Sequence, residues 1–399
     1  MQKNDIEMKL LRLLFFSIFL FVSNSAGAQK VMENLGRGVV AINKGDGKVY
    51  VGWRLLATDP DETAFNVYRL SASKRPVKIN AEPVKNSTNF IDKKADLTQT
   101  NQYFVKPLLK NKELAASKSF TLAPSSATQQ YLSIPLQIPA PGEVMGSSFS
   151  YSANDASVGD VDGDGEYEII LKWQPSNAKN PPQTGFTGNT IIDCYKLNGT
   201  RLWRIDLGKN IRSGAAYTQF MVYDFDGDGK AEMMCKTADG AIDGKGSVIG
   251  NSSKDWRTYG DPKGAMYGKI VTGPEYISVF DGLTGAVLAT KNYIPDRYPL
   301  NGWGGIGGNG GNDNTGGRAD RFTACVAYLD GQLPSAVFVR GWYGRSALAA
   351  WDWRNGKLTQ RWLFDSKDAA NPYSGMGNHN LSVADVDGDG KNEIFIGAM

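Results

Sequence analysis

Three copies of one acidic turn constrain this chain more than any other feature. The first reads Asp160-Val161-Asp162-Gly163-Asp164-Gly165-Glu166-Tyr167-Glu168; the pattern returns at Asp224, Asp226, Asp228, Gly229 and Glu232, and again at Asp385, Asp387, Asp389, Gly390 and Glu393. Carboxylates at alternate positions, followed by a glycine that lets the backbone turn sharply, can point inward around a hard cation that takes roughly six to eight oxygen ligands. The closing glutamate falls at the ninth loop position rather than the EF-hand's twelfth, and the flanks are strand-like, not helical. The turns are therefore read as Ca2+ turns between β-strands, with Asp160, Asp162, Asp164 and Glu168 as the first ligand set. Asp224, Asp226, Asp228 and Glu232 form the second, and Asp385, Asp387, Asp389 and Glu393 the third. A solvated acidic loop would explain any one copy; repetition in register favours the metal turn.

Residues 1–28 read as an export signal and stand apart from the fold. Lys3, Lys9 and Arg12 give a basic start, Leu13 to Val22 an unbroken apolar run, and Ala26-Gly27-Ala28 a small-residue cleavage site. The run is too short to span a bilayer and no later segment approaches that length, so the mature chain is expected to be secreted, periplasmic or on the cell surface. Removing Lys3, Lys9 and Arg12 together with Asp5 and Glu7 takes the net charge from +3 to +2. With no Lys/Arg clusters interleaved with aromatics, that excludes a nucleic-acid-binding surface as the main function. Cys194, Cys235 and Cys325 lack metal spacing and lie in apolar, strand-like runs. Buried thiols are expected, with one disulfide as the alternative.

From residue 29 to 124, short apolar/polar alternations recur about every ten residues between turn signals. Val39–Ile42, Val49–Leu56, Phe65–Arg69 and Tyr103–Pro107 are the clearest, and they predict a fibronectin type III-like β-sandwich. Residues 125–141, with Pro135, Pro139 and Pro141, read as a linker. From residue 142 to 399 two hairpins alternate: one carries the acidic turn, the other a Gly turn, as at Asn198-Gly199, Thr284-Gly285 and Asn355-Gly356. Two hairpins make four strands, one blade of a β-propeller, so the chain is expected to be all-β. The third blade starts at Phe322, but Gln332 and Leu333 replace its metal-turn residues. The fourth begins near His379 and reaches its second strand at Met399, which predicts an incomplete, open propeller. Long loops at Gln174–Asn189, Thr237–Gly260 and Pro299–Arg318 are functional candidates, the last carrying nine glycines between Gly302 and Gly317.

Several ordered blocks resemble the rhamnogalacturonan lyases of polysaccharide lyase family 11. They include Asn154-Asp155-Ala156-Ser157-Val158-Gly159-Asp160, Leu171-Lys172-Trp173, Lys236-Thr237-Ala238-Asp239-Gly240, Gly273-Pro274-Glu275-Tyr276 and Gly377-Asn378-His379-Asn380-Leu381. The resemblance runs from Arg37 to the last residue. It implies a sandwich module, an eight-bladed propeller stapled by calcium, and β-elimination at galacturonate in the rhamnose–galacturonate backbone of pectin, rhamnogalacturonan I. Such chemistry needs a cation or positive side chains on the uronate carboxylate, which acidify the C5 proton, and a base to remove it. By resemblance, His379 binds a cleft calcium, Asn154 contacts the sugar, and Gln174 stands where the family has a sugar-contacting Asp. Ala216 stands where a histidine commonly precedes Tyr217. The downstream His-Gly-Asp stretch and the proton-abstracting residues would lie past Met399, so this stretch alone is not expected to catalyse elimination.

Arg318, Asp320, Arg321, Arg340 and Arg345 sit in or beside the loops at blade ends, where arginine can hold uronate carboxylates or make packing ion pairs. A non-catalytic carbohydrate-binding or adhesion propeller is the alternative from another class, since similar turns staple ligand-binding propellers. A glycoside hydrolase would need a free pair of carboxyl groups at suitable spacing, and the acidic residues that cluster in this sequence belong to the turns.

Overall fold

The computed structural model describes residues 30–72, 75–304, 314–367 and 372–397. The expected leader and the centre of the glycine-rich stretch, residues 305–313, lie outside them. The described residues are β-strand and loop with a single 3-10 turn at Leu300–Gly302, and none of their helices is long and apolar enough to cross a membrane.

The first module is two facing sheets. One pairs Val40–Gly45, Lys48–Gly52 and Asn89–Asp92; the other pairs Val77–Lys78, Ala64–Ser71, Asn101–Leu109 and Lys112–Glu113, with Phe120–Leu122 also on Asn101–Leu109. Alternate residues of these strands turn inward: Val49, Val51, Phe65, Val67, Tyr103 and Val105 meet Trp53 and Leu122 between the sheets. Each such side chain stabilises the fold by about 1.5–3 kcal/mol relative to exposure. Asp92, buried at the sheet junction, pairs with Arg69 and accepts the Tyr103 hydroxyl at 3.0 Å.

Between Leu122 and Gly142 the chain forms no strand, yet it is tied at both ends. Gln129 N–H donates to the Asn43 carbonyl at 3.0 Å, and Gln137 N–H to the Tyr195 hydroxyl at 3.1 Å.

After a short hairpin, Gly142–Val144 with Ser147–Phe149, come four blades at Tyr151–Asp206, Phe220–Asn292, Phe322–Asp365 and Leu381–Ile396; the second and third are four-stranded sheets, the fourth has two strands, and the first is extended to six. In the second and third blades both faces of the middle strands are covered because a neighbouring blade lies on either side. Met233 and Cys235 pack with Ile170, Ile192 and Trp203 of the first blade, while Met234 packs with Phe338 and Trp351 of the third. Val337 and Val339 in turn meet Leu381, Val383, Ile394 and Ile396 of the fourth. The thiols are free, Cys194 and Cys235 buried and Cys325 half-buried. One expectation changes: the stretch Thr237–Gly260 is not simply a loop. Ala241–Ile242 and Val248–Ile249 form a small hairpin that joins the outer strand of the first blade, Asp206 facing Ile242. That covers an edge strand that would otherwise offer unpaired N–H and C=O groups.

The first strands of successive blades touch one another and so form the inner wall. Each runs towards an acidic turn, which collects the turns at one end of the propeller. The N-terminal module sits there: Gly36 N–H donates to Gly165, Val31 N–H to Gln332, and Arg54 stacks on Tyr167 at 4.3 Å. The opposite end carries the long loops.

Candidate functional site

At the turn end, three groups of carboxylates converge, each with ligand oxygens within 4.8 Å of one another: Asp160, Asp162 and Glu168; Asp224, Asp226 and Glu232; Asp385, Asp387 and Glu393. Backbone amides fix the geometry. Asp160 accepts from Gly163, Asp164 and Gly165 at 2.8, 3.0 and 2.7 Å, and Asp224 from Gly227, Asp228 and Gly229 at 2.7, 3.1 and 2.9 Å. Gly163 and Gly165 adopt φ of +76° and +85°, which glycine reaches without steric cost. The closing glutamate caps the same turn, Val161 N–H donating to Glu168 at 3.1 Å and Phe225 N–H to Glu232 at 3.0 Å.

These all-oxygen sets suit a hard divalent cation and can bind a metal ion. Asp164, Asp228 and Asp389, expected as ligands, are not among the converging groups. Each accepts the N–H two residues on, at 2.8 Å in all three, and Asp164 also pairs with Lys118 at 3.2 Å. The same contact is made by Asp162, which accepts from Asp164 N–H at 3.2 Å and belongs to its group, so it does not set the third aspartates apart.

Burial pushes the Glu168 carboxyl up to about 7 and the Glu232 carboxyl up to about 9, with neighbouring aspartates adding to both. Lys196, 3.8 Å from Glu168 and paired with Asp162 at 2.6 Å, works against the rise at Glu168. In the third blade, Asp330 accepts from the Gln332 and Leu333 amides and from Arg361 at 2.7 Å, and Arg361 also reaches Asp352 at 2.9 Å. A guanidinium there faces carboxylates, and no group of the kind that could hold a metal ion occurs at that turn among the described residues.

The loop end has different chemistry. A bulge in the inner strand between Ala153 and Ala156 exposes Asn154, and Gln174 lies across from Ser152 beside it. Neither side-chain amide hydrogen-bonds to a described residue. Lys172, almost fully buried, clamps the bulge through Asp155 at 2.5 Å and the Thr218 carbonyl at 3.2 Å. Next to it Arg212 donates to the Tyr217 hydroxyl at 2.5 Å and to the Gln183 and Gly185 carbonyls at 2.7 and 3.0 Å. Ala216 accepts from Phe322 N–H at 3.0 Å, which ties this loop to the third blade.

Glu275 centres a buried charge cluster, meeting Lys236 at 3.3 Å, Arg297 at 2.7 Å and Arg340 at 2.6 Å through both its oxygens. Burial opposes its ionisation, but Arg340, Arg297 and Lys236 outweigh that and hold it well below the usual carboxylate range. Burial lowers the Lys236 pKa, with Glu275 and Asp320 opposing. Arg340 is thus committed to packing rather than free for substrate, as is Arg345, which pairs with Asp365 at 2.7 Å and stacks on Trp303 at 4.0 Å. Farther round, His379 lies exposed, stacked on Trp342 at 4.4 Å with Nε2 against the Tyr343 hydroxyl. No described carboxylate cluster includes it.

Lys172, Arg212, Lys236 and Arg297 were not singled out from sequence. Two of them carried a readable signal: Lys172 and Lys236 each fall four residues after the closing glutamate of a turn, on the same strand face.

Residues 131–399 match the C-terminal domain of rhamnogalacturonan lyase family 11, and residues 30–122 match the β-sheet domain of rhamnogalacturonan I lyases. The chain belongs to rhamnogalacturonan lyase family 11. It is 50% identical over 375 residues to the rhamnogalacturonan endolyase YesW of Bacillus subtilis, and 50% identical over 373 residues to the exolyase YesX of the same organism. These alignments cover 94% and 93% of this chain and 56% of each relative. The chain therefore spans just over half the length of the curated relatives it matches. Among solved structures, the Bacillus licheniformis rhamnogalacturonan lyase superposes with a TM-score of 0.82 at 53% identity, covering 94% of this chain and 60% of that one. The exotype lyase YesX gives 0.82 at 49% identity, covering 93% and 57%.

Proposed function

We propose that this chain is part of a rhamnogalacturonan lyase that cleaves the rhamnose–galacturonate backbone of pectin by calcium-assisted β-elimination. The observation that carries the reading is the inner part of the loop end, where a strand bulge clamped by buried Lys172 through Asp155 presents the exposed amide of Asn154, with Gln174 beside it. Unpaired amides at a strand bulge suit the hydroxyls of a sugar. Family membership supports the substrate class.

In this proposal the cation in the turns is calcium, which suits their hard oxygens and their distance from the loop end. Its work in the turns is to staple hairpins. A separate cleft calcium would use His379 with groups not assembled among the described residues, and when bound it would polarise the uronate carboxylate. Asn154 and Gln174 would orient the sugar, and Lys172 would hold the bulge that presents Asn154. Residues 1–28 would direct export, after which the protein acts in the periplasm, at the cell surface or outside the cell.

The test is ultraviolet absorbance of the unsaturated uronate product on rhamnogalacturonan I with added calcium. It is run on the full-length protein and on the 399-residue stretch, which is proposed not to turn over. Product from the full-length protein that disappears with chelator is expected. Product from the short stretch would place the whole catalytic set before Met399. Binding without product from either length would favour the non-catalytic carbohydrate-binding propeller.

A further inference from the structure

One group of side chains at the loop end is not explained by packing. After the strand Ser335–Arg340 the chain makes a tight loop, Gly341–Gly344, in which Tyr343 adopts φ of +67°. A bulky residue rarely takes that conformation, and persists there only when its surroundings impose it. They do so here: Gly341 N–H donates to Arg321 at 2.8 Å and Tyr343 N–H to Gly377 at 2.9 Å, while a Cβ on Gly344 would meet the Trp303 carbonyl at 2.6 Å.

The strained loop holds Trp342 and Tyr343 edge to face, with ring centres 6.3 Å apart at 72°. Trp342 is buried and supports the ledge, and Tyr343 is half-exposed. Two guanidiniums lie over the tyrosine ring, Arg318 at 5.4 Å and Arg321 at 5.4 Å. Arg321 is anchored through Nε to the Gly317 carbonyl at 2.7 Å. Arg318 has no carboxylate partner and no hydrogen bond among the described residues; its recorded contact is the ring.

An arginine stacked on an aromatic keeps its planar fork oriented while leaving its in-plane N–H groups free. Such a fork accepts a carboxylate bidentately, and the ring edge beside it offers an apolar surface. A galacturonate residue matches both, with a carboxylate on one side of the pyranose and an apolar C–H face on the other. We infer that Arg318 and Tyr343 form a galacturonate subsite on the third-blade side of the loop end, apart from Asn154 and Gln174. The inference rests on the proposed function, because it assumes that the polymer crosses this end.

The experiment is calorimetric titration of the full-length protein, in saturating calcium, with rhamnogalacturonan I oligosaccharides and with the same oligosaccharides after carboxyl reduction. Arg318→Gln should weaken binding of the native oligosaccharide by about tenfold and leave the reduced one unchanged, as for loss of one charge-assisted contact. Tyr343→Asn, which suits a left-handed backbone but removes the ring, should weaken both. Equal loss on both ligands from Arg318→Gln, or no loss on either, would overturn the subsite while wild-type binding leaves the proposed function standing. Wild-type protein that binds neither oligosaccharide would overturn both. Unchanged melting temperature in Arg318→Gln separates lost contact from lost fold.

Discussion

Stripping the cation from the acidic turns should reverse the pH dependence of stability. In the unfolded chain Glu168 and Glu232 titrate near the ordinary value of 4.5; in the metal-free fold burial moves them up to about 7 and about 9. The native state then holds protons that the unfolded state has released, so stability falls as pH rises. For Glu168 the loss begins near pH 4.5 and is complete just above 7; for Glu232 it continues to about 9. A displacement of this size at Glu168 alone corresponds to about 3 kcal/mol.

A bound divalent cation removes the penalty, because it requires the ionised carboxylates and competes with their protons. The gap in melting temperature between calcium-loaded and metal-free protein should therefore be small at pH 5 and widen by several degrees by pH 8. The assay is a set of thermal melts across that range, with calcium or after chelation and desalting. Glu168→Gln, neutral at every pH, should roughly halve the slope of the metal-free curve between pH 5 and 7 and leave the Glu232 part. A gap that stays constant from pH 5 to 8 would refute the argument, since the two glutamates would not then be the groups that couple metal to folding.

Asp226→Ala should lower the calcium-loaded melting temperature and blunt the response to chelator, whereas Asp330→Ala, whose carboxylate meets Arg361 instead, should leave the chelator response intact; calorimetry in both states compares them. Glu275→Gln leaves Lys236, Arg297 and Arg340 buried with less counter-charge and should destabilise the fold by about 3–5 kcal/mol in denaturant melts, far more than a surface pair would. His379→Ala in the full-length protein should reduce lyase turnover much more than the melting temperature; equal losses would make the histidine structural.

The sequence made the blades legible because their periodicity is strong. The alternation of acidic and glycine turns located the third blade at Phe322 and the fourth near His379, and the carboxylate spacing located the three groups that could hold a metal ion. It did not locate the loop-end cluster. Glu275 reads in sequence as one acidic residue after Gly273-Pro274, and its partners Lys236, Arg297 and Arg340 come from three separate stretches that meet only after the blades stack. Ion pairs across blades leave no local pattern. The third aspartates of the turns, Asp164, Asp228 and Asp389, follow the ligand pattern in sequence, while the converging oxygens come from the first, second and closing carboxylates of each turn. The small hairpin at Ala241–Ile249 was hidden in polar sequence because its pairing partner, Asp206, belongs to another blade.

The two ends of the propeller divide the work in a way that follows from strand direction. Every blade hairpin that carries an acidic turn points the same way, so all the carboxylate groups that could hold a metal ion and the N-terminal module crowd one end, where Arg54 and Lys118 meet Glu166 and Asp164. Rigidity is thus supplied at the end where no long loop leaves the sheets. At the other end the same strands finish in Lys172, Lys236 and Arg340, and the chain must cross between blades, which gives long loops. Those loops can carry Arg212, Tyr343 and His379, and the strand bulge Asn154, without disturbing the cores beneath them, because the stacked middle strands are fixed from below. Loss of metal should therefore soften the loop end only through the blades. A cleft substitution should change binding without changing the chelator response, and that independence can be measured in the melts and titrations described above.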